Sequence, residues 1–281
     1  MQESKLPSLL REIPDPPKKL YVRGELPSHD EYKFLTVIGS RKFSIYGKQV
    51  CEHLIRGLAG YPIVIVSGLA LGMDTIAHRA AIENNLKTLA VPGSGLDDKV
   101  IYPATNQPLA REILKHGGCL VSEFEPDFKA TRWSFPQRNR TMAGISHAVL
   151  VIEAENISGT RITARLATDY NREVFAIPGS IFSPVSGGTN ELIREGATPV
   201  TSAKDILDFF GFTNENQPSQ MALDGLSDDE TMIMNALSEP RSRSQLADTA
   251  GISIIKLNVL LSAMEIKGLI KERLGKIYRV Q

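Results

Sequence analysis

The chain has 281 residues, of which 42% are hydrophobic and 23% charged, with 32 Lys plus Arg balanced by 32 Asp plus Glu. The length allows one large domain and a small one, and the composition excludes a disordered polymer, a collagen-like repeat and a membrane protein. Zero formal net charge excludes a protein that coats nucleic acid by bulk positive charge, so any anion has to be held in a local groove.

In chain order, Met1 to Pro17 is polar, charged and proline-rich, unlike a secretory signal, and a cytoplasmic residence is expected. The longest apolar run, 62–71, is far short of the ~20 residues of a membrane span. Residues 1–32, with Pro7, Pro14, Pro16 and Pro17, read as an extended lead-in packed on the core. Six short apolar strands follow: Phe34 to Ile38, Ile63 to Val66, Thr88 to Val91, Leu120 to Val121, Ala148 to Ile152 and Val174 to Ile177. Helical patterns run from about Tyr46 to Leu58, through Ala77 to Asn84, and from near Ser158. Continuous β-branched runs alternating with helices predict a doubly wound α/β domain over 33–212, with a mainly parallel sheet buried on both faces. Strand order is not readable from the sequence.

The polar stretch 213–225 reads as a linker. Over 226–281, Ser227 with Glu230 predicts a capped first helix, Ser242 or Ser244 starts a second, and Ser253 starts a third running to Lys267. Strand-like alternation around Gly275 completes the outline of a winged helix-turn-helix.

In a doubly wound sheet, ligands sit at the carboxyl ends of the strands. Small and polar residues collect there: Gly39-Ser40-Arg41, Ser67-Gly68 through Gly72, Pro92-Gly93-Ser94-Gly95, Ser122-Glu123, Ser158-Gly159-Thr160 and Pro178-Gly179. Glycine lets a backbone approach phosphate closely, and free amides at helix starts donate to it. No dinucleotide fingerprint and no Walker lysine is present. Arg41 is placed to fork onto a phosphate. Lys129, Arg132, Arg138 and Arg140 alternate with Trp133 and Phe135, a pattern that suits single-stranded nucleic acid, with a solvated loop as the plain alternative. Asp74 and His78, four apart on one helical face, read as a brace for the glycine-rich turn. Cys51 and Cys119 read as buried thiols. The histidines and cysteines have no metal-ligand spacing, and neither a metal nor another cofactor is expected.

Several ordered segments together resemble the DNA-processing protein A (Smf) family: Ile13-Pro14-Asp15-Pro16-Pro17, Val37-Ile38-Gly39-Ser40-Arg41, Ser67-Gly68-Leu69-Ala70-Leu71-Gly72-Met73-Asp74, Phe135-Pro136-Gln137-Arg138-Asn139-Arg140, Ser158-Gly159-Thr160 and Gly188-Thr189-Asn190. The resemblance implies an extended Rossmann-like domain with a small C-terminal winged-helix domain. It implies a non-enzymatic homodimer that binds single-stranded DNA and loads RecA recombinase onto it in natural transformation. An additional N-terminal helical domain found in some members is expected to be absent. By resemblance and motif position, the expected DNA contacts are Gly39, Ser40, Arg41, Ser67, Gly68, Gly72, Lys129, Arg138, Asn139, Arg140, Ser158, Gly159, Thr160 and Thr163, with Asp74 and His78 in support. Two positions depart from the family: Ala104-Thr105 where a lysine is common, and Arg161 where an apolar residue is usual. The third helix of the tail is poor in cations and is not an obvious duplex reader.

Two alternatives stay open. Gly187-Gly188-Thr189-Asn190-Glu191 is a broken version of the loop of nucleoside-monophosphate-cleaving enzymes. A nucleotide sensor signalling through the winged helix is the other.

Overall fold

A computed structural model describes residues 2–3, 5–156, 158–212, 227–237, 241–266, 269–273 and 275–279. Two compact units divide the chain, Met1–Gln217 and Pro218–Gln281. The expected linker, 213–225, lies outside the described residues.

The first unit is organised around β3 (Lys33–Ile38). Successive side chains of a strand point to opposite faces. Phe34 and Ile38 therefore enter one apolar cluster with Val64, Val66, Val149 and Val151, while Leu35 and Val37 enter another with Ile63, Ile65, Ala148 and Leu150. Parallel partners lie on both sides, β4 (Ile63–Ser67) and β7 (Ala148–Val151). β5 (Lys87–Ala90) and β6 (Cys119–Ser122) extend the sheet beyond β4, and β8 (Glu173–Ala176) and β9 (Thr198–Pro199) extend it beyond β7, all in parallel. β2 (Tyr21–Gly24) pairs antiparallel with β6, and β1 (Gln2–Glu3) with β2. The order is β1-β2-β6-β5-β4-β3-β7-β8-β9.

Helices cover both faces. α2 (Ile45–Gly57), α3 (Met73–Glu83) and α8 (Ala203–Phe209) pack on one side; α1 (Ser8–Arg11), α5 (Ser134–Ile145) and α6 (Gly159–Asp169) pack on the other. α4 (Gln107–Lys115) joins α3 in a third apolar cluster near the β6 edge, and α7 (Gly187–Arg194) follows β8. The fold is the extended Rossmann-like, doubly wound α/β class.

All six strands expected from the sequence are present, and the described residues of this unit add three more strands and five more helices. The lead-in is part of the sheet, because β2 continues it and Leu10 and Leu20 are fully buried. The basic run, for which a solvated loop is the plain alternative, is helix α5 from Ser134 onward, and the inner face of that helix includes Arg138. α5 has few apolar residues and weak periodicity, so tertiary packing decides it.

In the second unit, α9 (Asp228–Ala236) and α10 (Arg243–Ala250) each begin with a capping box, Ser227 with Glu230 and Ser242 with Gln245. α11 (Ile254–Ile266) follows, then a hairpin of β10 (Ile270–Arg273) and β11 (Lys276–Arg279) turning at Gly275, φ +72°. Three helices and a hairpin around Leu246, Leu257, Leu261 and Ile277 make a small winged-helix unit. Cys51 and Cys119 are buried free thiols, and burial pushes Cys119 up to about 12. Among the described residues, no single helix is long and apolar enough to cross a membrane.

Two histidines are held neutral. Thr88 Oγ1 donates to the Ile65 carbonyl, so His78 Nδ1, 2.7 Å away, donates to Thr88. Burial pushes His78 down to about 3. His147 Nδ1 accepts the Phe34 amide at 2.9 Å, and burial first, then neighbouring cations, push it down to about 4. An unfolded histidine titrates near 6.5. Below that pH the unfolded chain binds protons that the folded chain does not. Stability is therefore lost as pH falls from 6.5 toward the folded values, by about 1.4 kcal/mol per pH unit for each histidine. Urea midpoints should drop between pH 7 and pH 5, and His147→Asn should make that drop shallower. An unchanged slope in the variant would remove His147 as a source.

Candidate functional site

From β3 the chain steps outward through β4, β5 and β6, then returns to the other side of β3 as β7. Such a reversal leaves a crevice at the carboxyl ends of the two strands where it occurs. A cleft of about 410 Å³ opens there. The β3 loop contributes Gly39, Ser40, Arg41 and Lys42; α5 contributes Phe135, Arg138 and Asn139; the start of α6 contributes Ser158, Gly159, Thr160 and Thr163.

Most strand-end donors are already engaged inside the protein. At the start of α2, the buried Glu153 carboxylate accepts the Ser44 hydroxyl and, at 2.9 Å, the Ser44 amide. The Ser44 hydroxyl in turn accepts the Gly47 amide at 3.0 Å. At the start of α3, the Met73 amide donates to the Ser40 carbonyl at 3.2 Å. At the start of α7, the Gly188 amide donates to Ala154 at 2.8 Å. α6 differs in its N-cap hydroxyl: Ser158 makes no side-chain cap, and its buried Oγ has no partner. The amides of Gly159 and Thr160 find no acceptor among the described residues. The first amides of a helix need one from outside and carry the positive end of its dipole. Within the cleft, the start of α6 therefore offers two free amides beside a buried hydroxyl that has no partner.

Among the expected contacts, Gly39, Ser40, Arg41, Arg138, Asn139, Ser158, Gly159, Thr160 and Thr163 line the cleft; Ser67, Gly68, Gly72, Lys129 and Arg140 do not. Ser67 is buried and donates to the Val37 carbonyl at 2.7 Å. Gly68 is wedged, since a Cβ there would lie 2.0 Å from Arg138 Nη1 and 2.7 Å from Asp74 Oδ2. Gly72 has φ +85° and passes so close that a Cβ would meet Arg41 Cα at 2.6 Å. Arg140 is bound to Glu123 at 2.5 Å and to Asp15. Lys129 is exposed.

Arg138 lines the cleft yet is only 5% exposed. Its guanidinium donates to the Gly68 carbonyl and, at 2.7 Å, to the Val91 carbonyl. Burial holds its pKa below the usual arginine value despite Asp74. Asp74 Oδ2 accepts the Gly68 and Ala70 amides at 3.1 and 3.3 Å, and burial raises its pKa against the opposing pull of Arg138. Asp74 thus braces the glycine-rich turn, whereas His78 bonds to Thr88.

Arg41 and Lys42 are exposed and have no carboxylate partner among the described residues. The sequence does not single out Lys42, whose one signal there is adjacency to Arg41. The Arg41 guanidinium lies 5.9 Å from the Phe135 ring centroid, and Tyr102 lies 5.6 Å from the same ring. Trp133, 56% exposed, stands edge-on to Phe124 and Phe128 at 5.7 and 5.5 Å. Two acids line the cleft, the buried Asp74 and the exposed Glu155. Gly187 to Glu191 does not line the cleft: it forms the start of α7, and Glu191 pairs with Arg194 at 3.3 Å.

A sequence model of the family described as DNA recombination-mediator protein A matches residues 1–211. The chain belongs to that family. It is 40% identical to the DNA processing protein DprA of Bacillus subtilis, over 72% of this chain and 67% of that protein, and 44% identical to DprA of Streptococcus pneumoniae, over 72% and 70%. It is 42% identical to protein Smf of Escherichia coli but spans only 54% of that longer relative. The solved DprA of S. pneumoniae superposes with a TM-score of 0.66 at 42% identity, covering 72% of this chain and 70% of that one. DNA processing protein A of Helicobacter pylori, studied for its single-stranded DNA binding mode, superposes with a TM-score of 0.67 at 34% identity, covering 74% and 94%.

The two departures from the family have plain structural outcomes. Ala104 lies in a short turn, Ala104–Asn106, and brings no cation. Arg161 pairs with Glu195 at 2.7 Å on the surface. In the second unit, Lys256, the only cation of α11, pairs with Asp229 at 2.7 Å, and Ile254, Ile255 and Val259 are exposed. Such a face is unsuited to phosphates.

Arg138→Leu should lower stability by about 3–5 kcal/mol, since it strands the buried Asp74 carboxylate and two carbonyls. Arg138→Leu combined with Asp74→Asn should cost less than the sum of the two single changes, and urea denaturation of the three variants checks the coupling. Strict additivity would count against the brace.

Proposed function

We propose that the chain binds single-stranded DNA in the switch-point cleft with little base preference. One observation carries the reading: the exposed pair Arg41 and Lys42 and the uncapped start of α6 line the same cleft, beside aromatic rings. A backbone phosphate at the α6 start would accept the Gly159 and Thr160 amides and the Ser158 hydroxyl. Arg41 would fork onto phosphate oxygens. Bases turned away from the phosphates would stack on Phe135, Tyr102 and Trp133, with Lys129 and Arg132 nearby in sequence. Helix amides and cations address the backbone, which is the same for every base. The H. pylori relative, studied for its single-stranded DNA binding, supports this reading.

Family membership extends it: the chain hands its strand to RecA recombinase, acts as a homodimer and catalyses no reaction. A mediator has to let go of what it carries. A few phosphate contacts on an otherwise neutral molecule suit that need, because such binding weakens as salt rises.

Trp133 is the sole tryptophan, so its fluorescence reports stacking directly. Titration with single-stranded oligonucleotides should quench it to a similar extent for mixed and homopolymer sequences. Arg41→Glu should weaken binding without changing the urea midpoint, and should flatten the slope of log affinity against log salt by roughly 0.7 for each phosphate left without its cation. Wild-type affinity in the variant at every salt concentration, or a strong preference for one short sequence, would refute the reading.

A further inference from the structure

A second groove, of about 920 Å³, lies along the outer face of α6. It shares Ser158, Gly159 and Ile162 with the switch-point cleft, so the two meet at the uncapped helix start. One wall is a stripe of α6 that carries Arg161, Arg165 and Thr168; the other includes Leu192 and Glu195 at the end of α7. Arg161 and Arg165 are one helical turn apart, about 6 Å along the axis. Arg165 is exposed and has no carboxylate partner among the described residues. Arg161 pairs with Glu195, but both side chains are solvent-accessible, at 29% and 52%. A surface pair of this kind is held by only about 0–1 kcal/mol, so a phosphate can displace the carboxylate. Asp169 and Glu173 line the groove beyond Thr168. Arg172 lines that end too, but its guanidinium is taken up by the Leu9 carbonyl and Glu12. The accessible arginines therefore stand near the shared helix start and the acids at the far end, which sets a limit on how far a polyanion can run.

We infer that this groove carries the DNA strand onward from the cleft, with Arg161 and Arg165 as phosphate contacts and the track ending before Asp169. The inference rests on the proposed single-strand binding and deepens it: the occupant is the same polynucleotide, and the bound segment is longer than the cleft alone can hold. Ile162, 48% exposed at the junction, offers an apolar surface for a base where the strand turns over the helix start.

The test compares two oligothymidines, one of about five nucleotides, which the cleft alone accommodates, and one of about sixteen, at the upper end of known single-strand site sizes. Arg165→Glu lies on an exposed helix face and should leave folding intact. It should weaken the long oligomer about fivefold or more, lower its salt slope by roughly 0.7, and leave the short oligomer within about twofold of wild type. Glu195→Gln frees Arg161 and should strengthen the long oligomer only. Arg41→Glu should weaken both. Equal affinity of Arg165→Glu and wild type for the long oligomer, or equal losses on both oligomers, would overturn the α6 track while leaving the cleft in place. Failure of the wild-type protein to bind either oligomer would overturn the proposed function and the track with it.

Discussion

The first unit depends on a charge placed in its interior. Arg138 reaches from α5 beneath the ends of β4 and β5 and donates to the carbonyls of Gly68 and Val91, while Asp74 gathers the amides of Gly68 and Ala70. Neither group could be buried alone, because an uncompensated ion in a low-dielectric interior costs several kcal/mol. Together they bind a helix on one side of the sheet to a turn and a helix on the other. Gly68 is the residue that allows it, since any side chain would occupy the space between guanidinium and carboxylate.

This brace divides the cations near the site into two kinds. Arg138, Arg140 and Arg172 satisfy carbonyls and carboxylates of the protein itself. Arg41, Lys42 and Arg165 keep their charge available. A chain with equal numbers of acids and bases can still present a positive rim if its buried and paired arginines are the ones that neutralise the acids. The same division applies to helix starts. One amide at each of the starts of α2, α3 and α7 is met from within, whereas at α6, where the strand order reverses, the buried Ser158 hydroxyl has no partner. In the proposed binding, affinity would rest on a small number of phosphate contacts, so its salt dependence would be shallower than that of a uniformly basic surface.

The winged-helix unit follows different rules. Its caps and hairpin were legible because capping boxes and a glycine turn are local devices in which residues three apart satisfy one another. Its surface is apolar where a duplex reader would be basic, with Ile255 and Val259 exposed on α11 and Lys256 turned to Asp229. The position of α11 as third helix of a winged-helix unit therefore says little about duplex binding.

Runs such as Phe34 to Ile38 and Ala148 to Ile152 announced a sheet buried on both faces, and Gly39-Ser40-Arg41 and Ser158-Gly159-Thr160 announced strand ends suited to phosphate. Those properties are local, so the sequence alone determined them. It could not determine that β7 lies beside β3, which is what brings these two segments, far apart in the chain, into one cleft. Nor could it separate Arg138 from Arg41, because whether a guanidinium meets a carbonyl or solvent depends on packing between elements distant in the chain. Strand order and burial are properties of long-range contacts, and only the tertiary structure decided them.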